Sequence, residues 1–293
     1  MLRSFVIARR ILFDALGHFD LADGWAMASH VALSTLLAIF PFMIFATTLA
    51  TFLGAEQFAD LAVHLVFDTW PERIAEPIAN EVRNVLTVPR SGLLTVSVVA
   101  AAFFATNGIE ALRVALNRAY RVSETRSLVY VRLQSLGFVF IATLGFMAIS
   151  FLLVLAPLVF RIVEQYVPGI QSLSFEVGFW RYAVAVTVLV TGLFVVHKWL
   201  PAGQRTFVSL IPGIFVTMSF WILGASVFAA YLERFATYVT TYAGLASLMI
   251  ALVFLYIIAA IFILGAEINA AIIRYQNARA ILTGRTLTKP LNS

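Results

Sequence analysis

Long apolar stretches separated by shorter polar segments dominate the chain. A helix needs about 20 mostly apolar residues to cross the hydrocarbon core of a bilayer, which is about 30 Å thick. Five stretches meet this requirement and a sixth, which starts at residue 93, turns polar early; together they predict an all-α, polytopic membrane protein with six transmembrane helices. We place these spans at about 28–53, 93–112, 136–160, 179–200, 212–232 and 243–266.

Two further segments are amphipathic rather than uniformly apolar. Residues 2–17 carry apolar side chains at helical spacing with three arginines among them, which predicts an N-terminal helix lying in the membrane interface. Between the first two spans, apolar positions again follow one helix face, and two prolines divide this region. We expect amphipathic outer helices at about 56–88 to form a lid, either as a packing cap or as a substrate-binding element.

The predicted domain organisation is simple. Residues 1–272 form one six-helix transmembrane domain, and residues 273–293 form a basic cytoplasmic tail. Pro41 lies near the middle of the first span, where it removes a helix hydrogen bond and produces a kink. Pro212 suits the first turn of the fifth span. We predict hinges at Pro41 and at Gly108.

Composition supports the membrane assignment. Apolar residues make up 61% of the 293 residues and charged residues only 12%, about half the usual globular share of roughly 25%. There is no cysteine, which excludes structural disulfides and thiolate zinc sites. The N-terminus lacks a cleavage pattern after an uninterrupted apolar core, so we expect no removed signal peptide.

The distribution of the 20 lysines and arginines predicts the orientation. Fourteen lie in the N-terminal segment, the 107–135 and 197–207 loops and the tail, and six lie in the alternate loops. Because cytoplasmic loops carry the excess of positive charge, both termini are expected in the cytoplasm. The net charge of +5 therefore reflects topology and does not call for a nucleic-acid partner.

The second span turns polar before a membrane crossing of full length is complete. Residues 93–106 are apolar, and Asn107 and Glu110 follow within one turn. A carboxylate at this depth is costly unless it is paired or hydrated. Two interpretations remain open: the polar face emerges into water with Glu110 paired to Arg113 at i+3, or it turns inward and lines a cavity.

The second interpretation gains support from other polar groups at the same predicted depth. His30 lies at the start of the first span, and Glu267 and Asn269 lie at the end of the sixth. We therefore predict a polar cavity open to the cytoplasm. Its candidate residues are His30, Asn107, Glu110, Glu267 and Asn269.

Sequence motifs for soluble chemistry are absent. The chain has no GxxxxGK[ST], GxGxxG, HExxH or GxSxG motif, and its four histidines share no metal-ligand spacing. We predict no catalytic residues, no metal and no cofactor. A nuclease would need a carboxylate–metal cluster or a histidine pair in an aqueous groove, so we reject a ribonuclease function and expect no nucleic-acid partner.

Several segments together resemble the YihY/virulence factor BrkB family of bacterial inner-membrane proteins, once labelled ribonuclease BN. The matching segments are ALSTLLAIFPF (32–42), TNGIEALRVALNRAY (106–120), IPG (211–213), YVTTYAGLA (238–246) and LGAEINA (264–270). Tyr242-Ala243-Gly244 departs from the commoner Tyr-Gly pattern of the family. The resemblance implies a six-helix protein of the bacterial inner membrane, and it provides no catalytic residues.

The leading hypothesis is transport or handling of a lipid, amphiphile or small solute through the polar cavity. Membrane lipids are the expected partners, and a homo-oligomer is compatible with the small residues inside the spans. The alternative is a scaffold that recruits partners through the 113–132 loop; an enzyme acting on a lipid-borne substrate is a weaker third. The candidate partner or anionic-lipid contacts are Arg113, Arg118, Arg121 and Arg126.

Overall fold

The computed structural model of the chain describes residues 2–52, 93–150, 174–241 and 243–282, together with positions 152 and 160. Seven α-helices lie in these ranges, and none of the residues described there forms a strand. The helices are α1 (Leu2–Leu21), α2 (Gly24–Phe52), α3 (Leu93–Ala119), α4 (Leu128–Ser150), α5 (Ser174–Trp199), α6 (Phe207–Thr241) and α7 (Ala243–Leu282).

The all-helical membrane class is confirmed. By length and composition, five stretches within the described helices could cross a membrane: Val98–Ala119, Leu128–Phe146, Gly178–Trp199, Phe207–Leu232 and Leu248–Leu282. In α2 the segment Gly24–Ile39 is a shorter apolar stretch. The sixth span, the orientation of the termini and the lid stay predictions, and the outer helices at about 56–88 lie outside the described residues.

Several helix ends differ from the predicted span limits. The second span was expected to end near 112 and the third to begin near 136, but α3 continues to Ala119 and α4 starts at Leu128. The reason is that polar side chains in these extensions pack against other parts of the protein rather than terminating the helices. Similarly, α7 continues to Leu282, so the first ten residues of the predicted tail are helical.

Pro212 lies inside α6, which begins at Phe207, and not in the first helical turn of the span. A proline at this position has no N–H for the helix ladder and crowds the carbonyl four residues earlier. The next amide, that of Gly213, donates to the side chain of Asn269 on α7 at 2.7 Å. The neighbouring helix, α7, therefore supplies a hydrogen-bond acceptor for the backbone amide next to the proline. Pro41 also lies within a continuous helix, α2.

The chain divides into two compact units. The first comprises Met1–Leu36, Thr106–Phe138 and Val190–Ser293, and the second comprises Leu37–Ala105 and Val139–Leu189. In the first unit, α7 packs against both α6 and α1. The buried core of this unit is rich in alanine on α3 and α7. In the described part of the second unit, Ala101 and Ala185 are buried.

The contact between α6 and α7 is close because glycines lie on both helices. A Cβ added to Gly213 would collide with the carbonyl oxygen of Gly265 and with the side chain of Asn269. A Cβ added to Gly265 would collide with Thr217. Small residues permit this approach between helices in lipid, where burial of apolar area gives little drive for association. Close packing at Gly213 and Gly265 thus fixes the position of α6 relative to α7 within the first unit.

Candidate functional site

Arg113 on α3 is buried, with 1% of its surface exposed. Its Nη1 donates to Glu110 at 2.7 Å, and its Nη2 donates to Ser135 Oγ at 2.6 Å and to the Val131 carbonyl at 2.9 Å. The structure therefore contains the i+3 pair of Glu110 and Arg113, but α4 covers it. Because Arg113 is enclosed, it is not a surface contact for a partner or for anionic lipid.

Asn107 also interacts with α4 rather than with an open cavity. Arg132 Nη1 donates to Asn107 Oδ1 at 3.0 Å, and Arg132 Nε lies 4.0 Å from Glu110 Oε1. α3 is continuous through Gly108, whose added Cβ would lie 3.8 Å from the Ser34 carbonyl on α2. The polar face of α3 is thus an interface between helices, and the hinge at Gly108 stays a prediction.

Among the acidic side chains of the first unit whose burial is described, Glu267 on α7 is the most enclosed, with 1% of its surface exposed. Its two carboxyl oxygens lie 2.8 and 3.0 Å from Nδ1 of His18 on α1. Arg121 Nη2 lies 3.9 Å from the same group. Burial lowers the pKa of His18, an effect that the Asp14 carboxylate opposes. The pair joins residues separated by 249 positions in sequence.

Asp14 extends this contact along α1. Its carboxylate accepts a hydrogen bond from Arg121 Nη2 at 3.2 Å and another from Arg274 Nη1 at 3.4 Å. Two acidic and two basic side chains therefore meet beside one histidine where α1 packs on α7. We call this set the α1–α7 charge cluster: Asp14, His18, Arg121, Glu267 and Arg274.

Arg121 occupies a backbone conformation that usually belongs to glycine, with φ of 58°. The amide of Val122 donates to the Asn117 carbonyl, and the amide of Arg121 donates to the Arg118 carbonyl, both at 2.9 Å. This is the Schellman arrangement that ends a helix, in which glycine is the commonest residue at the left-handed position. An arginine there carries a strain that glycine would avoid, and its side chain reaches the charge cluster.

Asn269 belongs to a second buried network. Besides accepting from the Gly213 amide, it donates from Nδ2 to the Tyr120 hydroxyl at 3.4 Å. That hydroxyl is 2.9 Å from His197 Nδ1 on α5. Burial raises the pKa of Tyr120 to about 12. The network thus connects α5, α6, α7 and the end of α3 through neutral hydrogen-bonding groups.

Arg205 lies against this network from the segment between α5 and α6. Its guanidinium carbon is 4.0 Å from the centre of the Tyr120 ring, and its Nη2 donates to the Ala202 carbonyl. Burial lowers the pKa of Arg205 to about 10. A guanidinium over an aromatic face is stabilised by the ring quadrupole. Arg205 therefore holds the segment between α5 and α6 against Tyr120 at the end of α3.

The five residues predicted to form one cavity fall into three places. Asn107 and Glu110 face α4, Glu267 and Asn269 belong to two networks at α7, and His30 is exposed on α2. No described hydrogen bond joins Glu110 to Glu267. The groups that actually complete the networks at α7 were missed in the sequence, because they come from distant segments: Asp14, His18, Tyr120, His197 and Arg205.

The arginines of the 113–132 loop are mostly engaged within the protein. Arg126 forms an ion pair with Glu124 at 2.7 Å and donates to the Leu200 carbonyl at 2.9 Å. The hydrogen bond from Arg126 lowers the pKa of Glu124 to about 2. Arg118 is exposed and lies 3.4 Å from Asp23. The loop is therefore braced against its neighbours, and Arg118 is the predicted contact that remains open.

An apolar groove of about 290 Å³ lies beside the charge cluster. All of its lining side chains are aliphatic or aromatic: Leu16 and Phe19 from α1, Trp25 from α2, and Tyr256, Ile257, Ala260, Ile261 and Leu264 from α7. Leu264 precedes Glu267 by three residues on α7, less than one helical turn. The groove and the buried carboxyl are therefore neighbours along one helix.

These features define a polytopic membrane protein in which an N-terminal helix, an apolar groove and buried polar networks converge on the last long helix. The chain belongs to the family described as Virulence factor BrkB, which matches residues 15–285. It is 29% identical over 263 residues to the ribonuclease-like protein YfkH of Bacillus subtilis (strain 168), covering 88% of this chain and 94% of that protein.

A second relative supports the membrane assignment. The UPF0761 membrane protein PsycPRwf_0630 of Psychrobacter sp. (strain PRwf-1) is 24% identical over 268 residues, which is 87% of this chain and 46% of that protein. This chain therefore matches about half of the Psychrobacter protein. No solved structure matches the chain.

Proposed function

We propose that this protein resides in the bacterial inner membrane with both termini in the cytoplasm, and that it transports or otherwise handles a lipid or another amphiphile. The observation that carries the proposal is the apolar groove among α1, α2 and α7. The predicted cavity was polar, but the groove found among the described residues of the first unit is apolar, with polar groups beyond one end. That combination suits an amphiphile better than a small polar solute.

The size of the groove indicates which part of an amphiphile enters it. Small-molecule pockets have volumes of about 300–1,000 Å³, and this groove, at about 290 Å³, is at the lower limit. It therefore accommodates part of one hydrocarbon chain and not a complete two-chain lipid. The charge cluster next to Leu264 then faces the polar end of the bound molecule.

A photoactivatable lipid with the reactive group in its acyl chain tests this binding mode. After reconstitution and illumination, mass spectrometry should locate the adducts on peptides that contain Leu16 and residues 256–264. Leu16→Gln places a polar amide in the groove and should reduce these adducts several-fold. Leu12→Gln is a matched control, because Leu12 is on the same helix at 47% exposure against 44% for Leu16, and does not line the groove.

Labelling that is spread evenly over the lipid-facing helices, or equal labelling of the Leu16 and Leu12 variants, would contradict binding in the groove.

A separate experiment tests the orientation of the chain in the membrane. Since the chain has no cysteine, Ser123→Cys and Ser172→Cys report the two sides directly. An impermeant thiol reagent added outside intact cells should label only the second, and the reverse result would invert the proposed orientation.

The scaffold alternative has less support. Of the four arginines predicted as partner contacts, Arg113 is buried and Arg121 and Arg126 have internal ion-pair partners.

We propose no ribonuclease activity for this protein. His197 and Glu267 are enclosed by packed helices, so neither side chain reaches an RNA strand in this arrangement. Purified protein that cleaved RNA, with loss of cleavage in a substituted variant, would overturn that part.

A further inference from the structure

The contact between His18 and Glu267 has the geometry of a proton-binding site. Both carboxyl oxygens are within 3.0 Å of one imidazole nitrogen, and the carboxyl group is enclosed while 25% of the His18 side chain is exposed. The buried acid is thus connected to solvent through a group that itself binds protons near neutral pH. No hydroxyl or amide side chain in the described part of the first unit bonds to Glu267.

The surrounding charges favour one proton on this pair. The titratable and charged groups that face it are Asp14 on α1, Tyr120 and Arg121 after α3, and Arg274 on α7. Asp14 bonds to both arginines, so their positive charges are already balanced in part. A fully ionised Glu267 would then be a buried anion beside a neutral imidazole, and burial of a charge without full compensation is costly.

We propose that His18 and Glu267 together bind one exchangeable proton, and that this proton holds α1 against α7. The proton lies between imidazole nitrogen and carboxyl oxygen, and it belongs to the pair as a coupled unit. Its removal leaves the carboxylate ionised in the α1–α7 contact, which weakens that contact. The inference depends only on the junction of the two helices and holds whether or not the groove binds an amphiphile.

The proposal makes α1 docking pH-dependent on both sides of an optimum. Above the titration point of the undocked groups, docking takes up a proton, so it weakens by up to about tenfold for each unit by which the pH rises. On the acid side, the pKa of His18 is lower than its ordinary value of 6.5 because of burial. Once undocked, the imidazole and the carboxyl are separate and can each bind a proton, so docking weakens again in more acidic solution, where the undocked groups together bind a second proton.

Two measurements on the full-length protein in nanodiscs test the proposal. Spin labels at Gly17→Cys and Gln276→Cys, in a chain without native cysteine, report the distance between α1 and α7. Gly17 has open space around its Cα, and Gln276 is exposed. The docked fraction should fall from about pH 6 to about pH 9 in the labelled parent protein. An unchanged docked fraction over this range would overturn the proposal.

Glu267→Gln is the informative variant, because it keeps a hydrogen-bonding group of the same size without a titratable proton. Its docked fraction should not change on the alkaline side, whereas His30→Gln, which alters an exposed histidine on α2, should behave like the parent. Infrared spectra at about pH 6 should show the carbonyl stretch of a protonated carboxyl that disappears in Glu267→Gln. Alkaline release of α1 in Glu267→Gln, or absence of that infrared band, would refute the shared proton.

Discussion

The two contacts that α7 makes in the first unit differ in kind. Against α6 it packs through glycines, and the Asn269 side chain accepts a hydrogen bond from the backbone amide that follows Pro212. Against α1 it presents the charge cluster and one wall of an apolar groove. At Gly213 and Gly265 the first contact has no space for an additional carbon atom, whereas the second contains a hollow and a partly exposed histidine. A rigid contact and an adjustable one therefore lie on the same helix.

The difference indicates where function is located. Close packing between α6 and α7 fixes the position of α7, since any separation would leave buried backbone polar groups without partners. The α1–α7 contact can open at lower cost, because its ion pairs can exchange their partners for water and its groove leaves space unfilled. Substitutions at the two contacts test this contrast.

Gly265→Ala should disrupt the rigid contact most strongly. The added methyl group would overlap Thr217 and approach the Gly213 carbonyl, and overpacking costs about 1–3 kcal/mol, and occasionally more where, as here, the overlap involves backbone. We expect a large loss of monodisperse protein and a lower unfolding temperature in detergent.

Gly192→Ala on α5 is the control, because nothing lies within 4 Å of the added carbon. This variant should match the parent. Equal behaviour of the two variants would show that the crossing is not close.

Asn269→Ala should have the next largest effect, because it leaves the Gly213 amide without its acceptor at a proline-interrupted part of α6. Loss of a buried hydrogen-bond partner costs about 1–3 kcal/mol. The free energy of unfolding, measured by denaturant titration, should fall by that amount. Gln276→Ala changes an exposed position of the same helix and should be nearly neutral. A neutral Asn269→Ala would mean that water replaces the amide.

At the α1–α7 contact, two substitutions of Arg121 distinguish the effect of backbone strain from the effect of its side-chain ion pairs. Arg121→Gly should relieve the left-handed backbone by about 1 kcal/mol relative to Arg121→Ala. Both variants lose the ion pair with Asp14, so both should release α1 more readily, as measured by protease sensitivity of α1. If Arg121→Gly kept α1 as protected as in the parent, the Arg121 side chain would have no role in docking.

Arg118→Gln should have the smallest effect. Its partner Asp23 is 3.4 Å away and both groups are exposed, and ion pairs of this type contribute about 0–1 kcal/mol. Unfolding temperature and α1 protection should stay close to those of the parent protein. A pronounced decrease in either would show that the α1–α2 turn, and not the charge cluster, controls the position of α1.

The sequence predicted the helices well because apolar length alone identifies them. It could not predict where polar side chains lead, since this depends on contacts between distant segments. The helical wheel of α3 placed Glu110 and Arg113 on one face, but it did not show that α4 would cover that face. Depth in the membrane likewise grouped Glu110 with Glu267, although their partners are different.

His18 illustrates the remaining difficulty. In the sequence it directly follows the basic amphipathic helix predicted at residues 2–17, which was expected to lie in the membrane interface. Asp14 and His18 are four residues apart and therefore lie on one helix face, which was the available signal for a polar contact. Nothing local identifies the partner, because Glu267 is 249 residues away.

Binding of a hydrocarbon chain in the groove beside the α1–α7 charge cluster is what we propose for this protein. Trp25 lines this groove and is 55% exposed, while Trp199 lies outside it and is 49% exposed. In two single-tryptophan proteins, quenching by chain-brominated lipid should reach half its maximum at a several-fold lower lipid fraction for Trp25 than for Trp199. Identical quenching curves would show that both residues contact only bulk lipid, and would contradict the account.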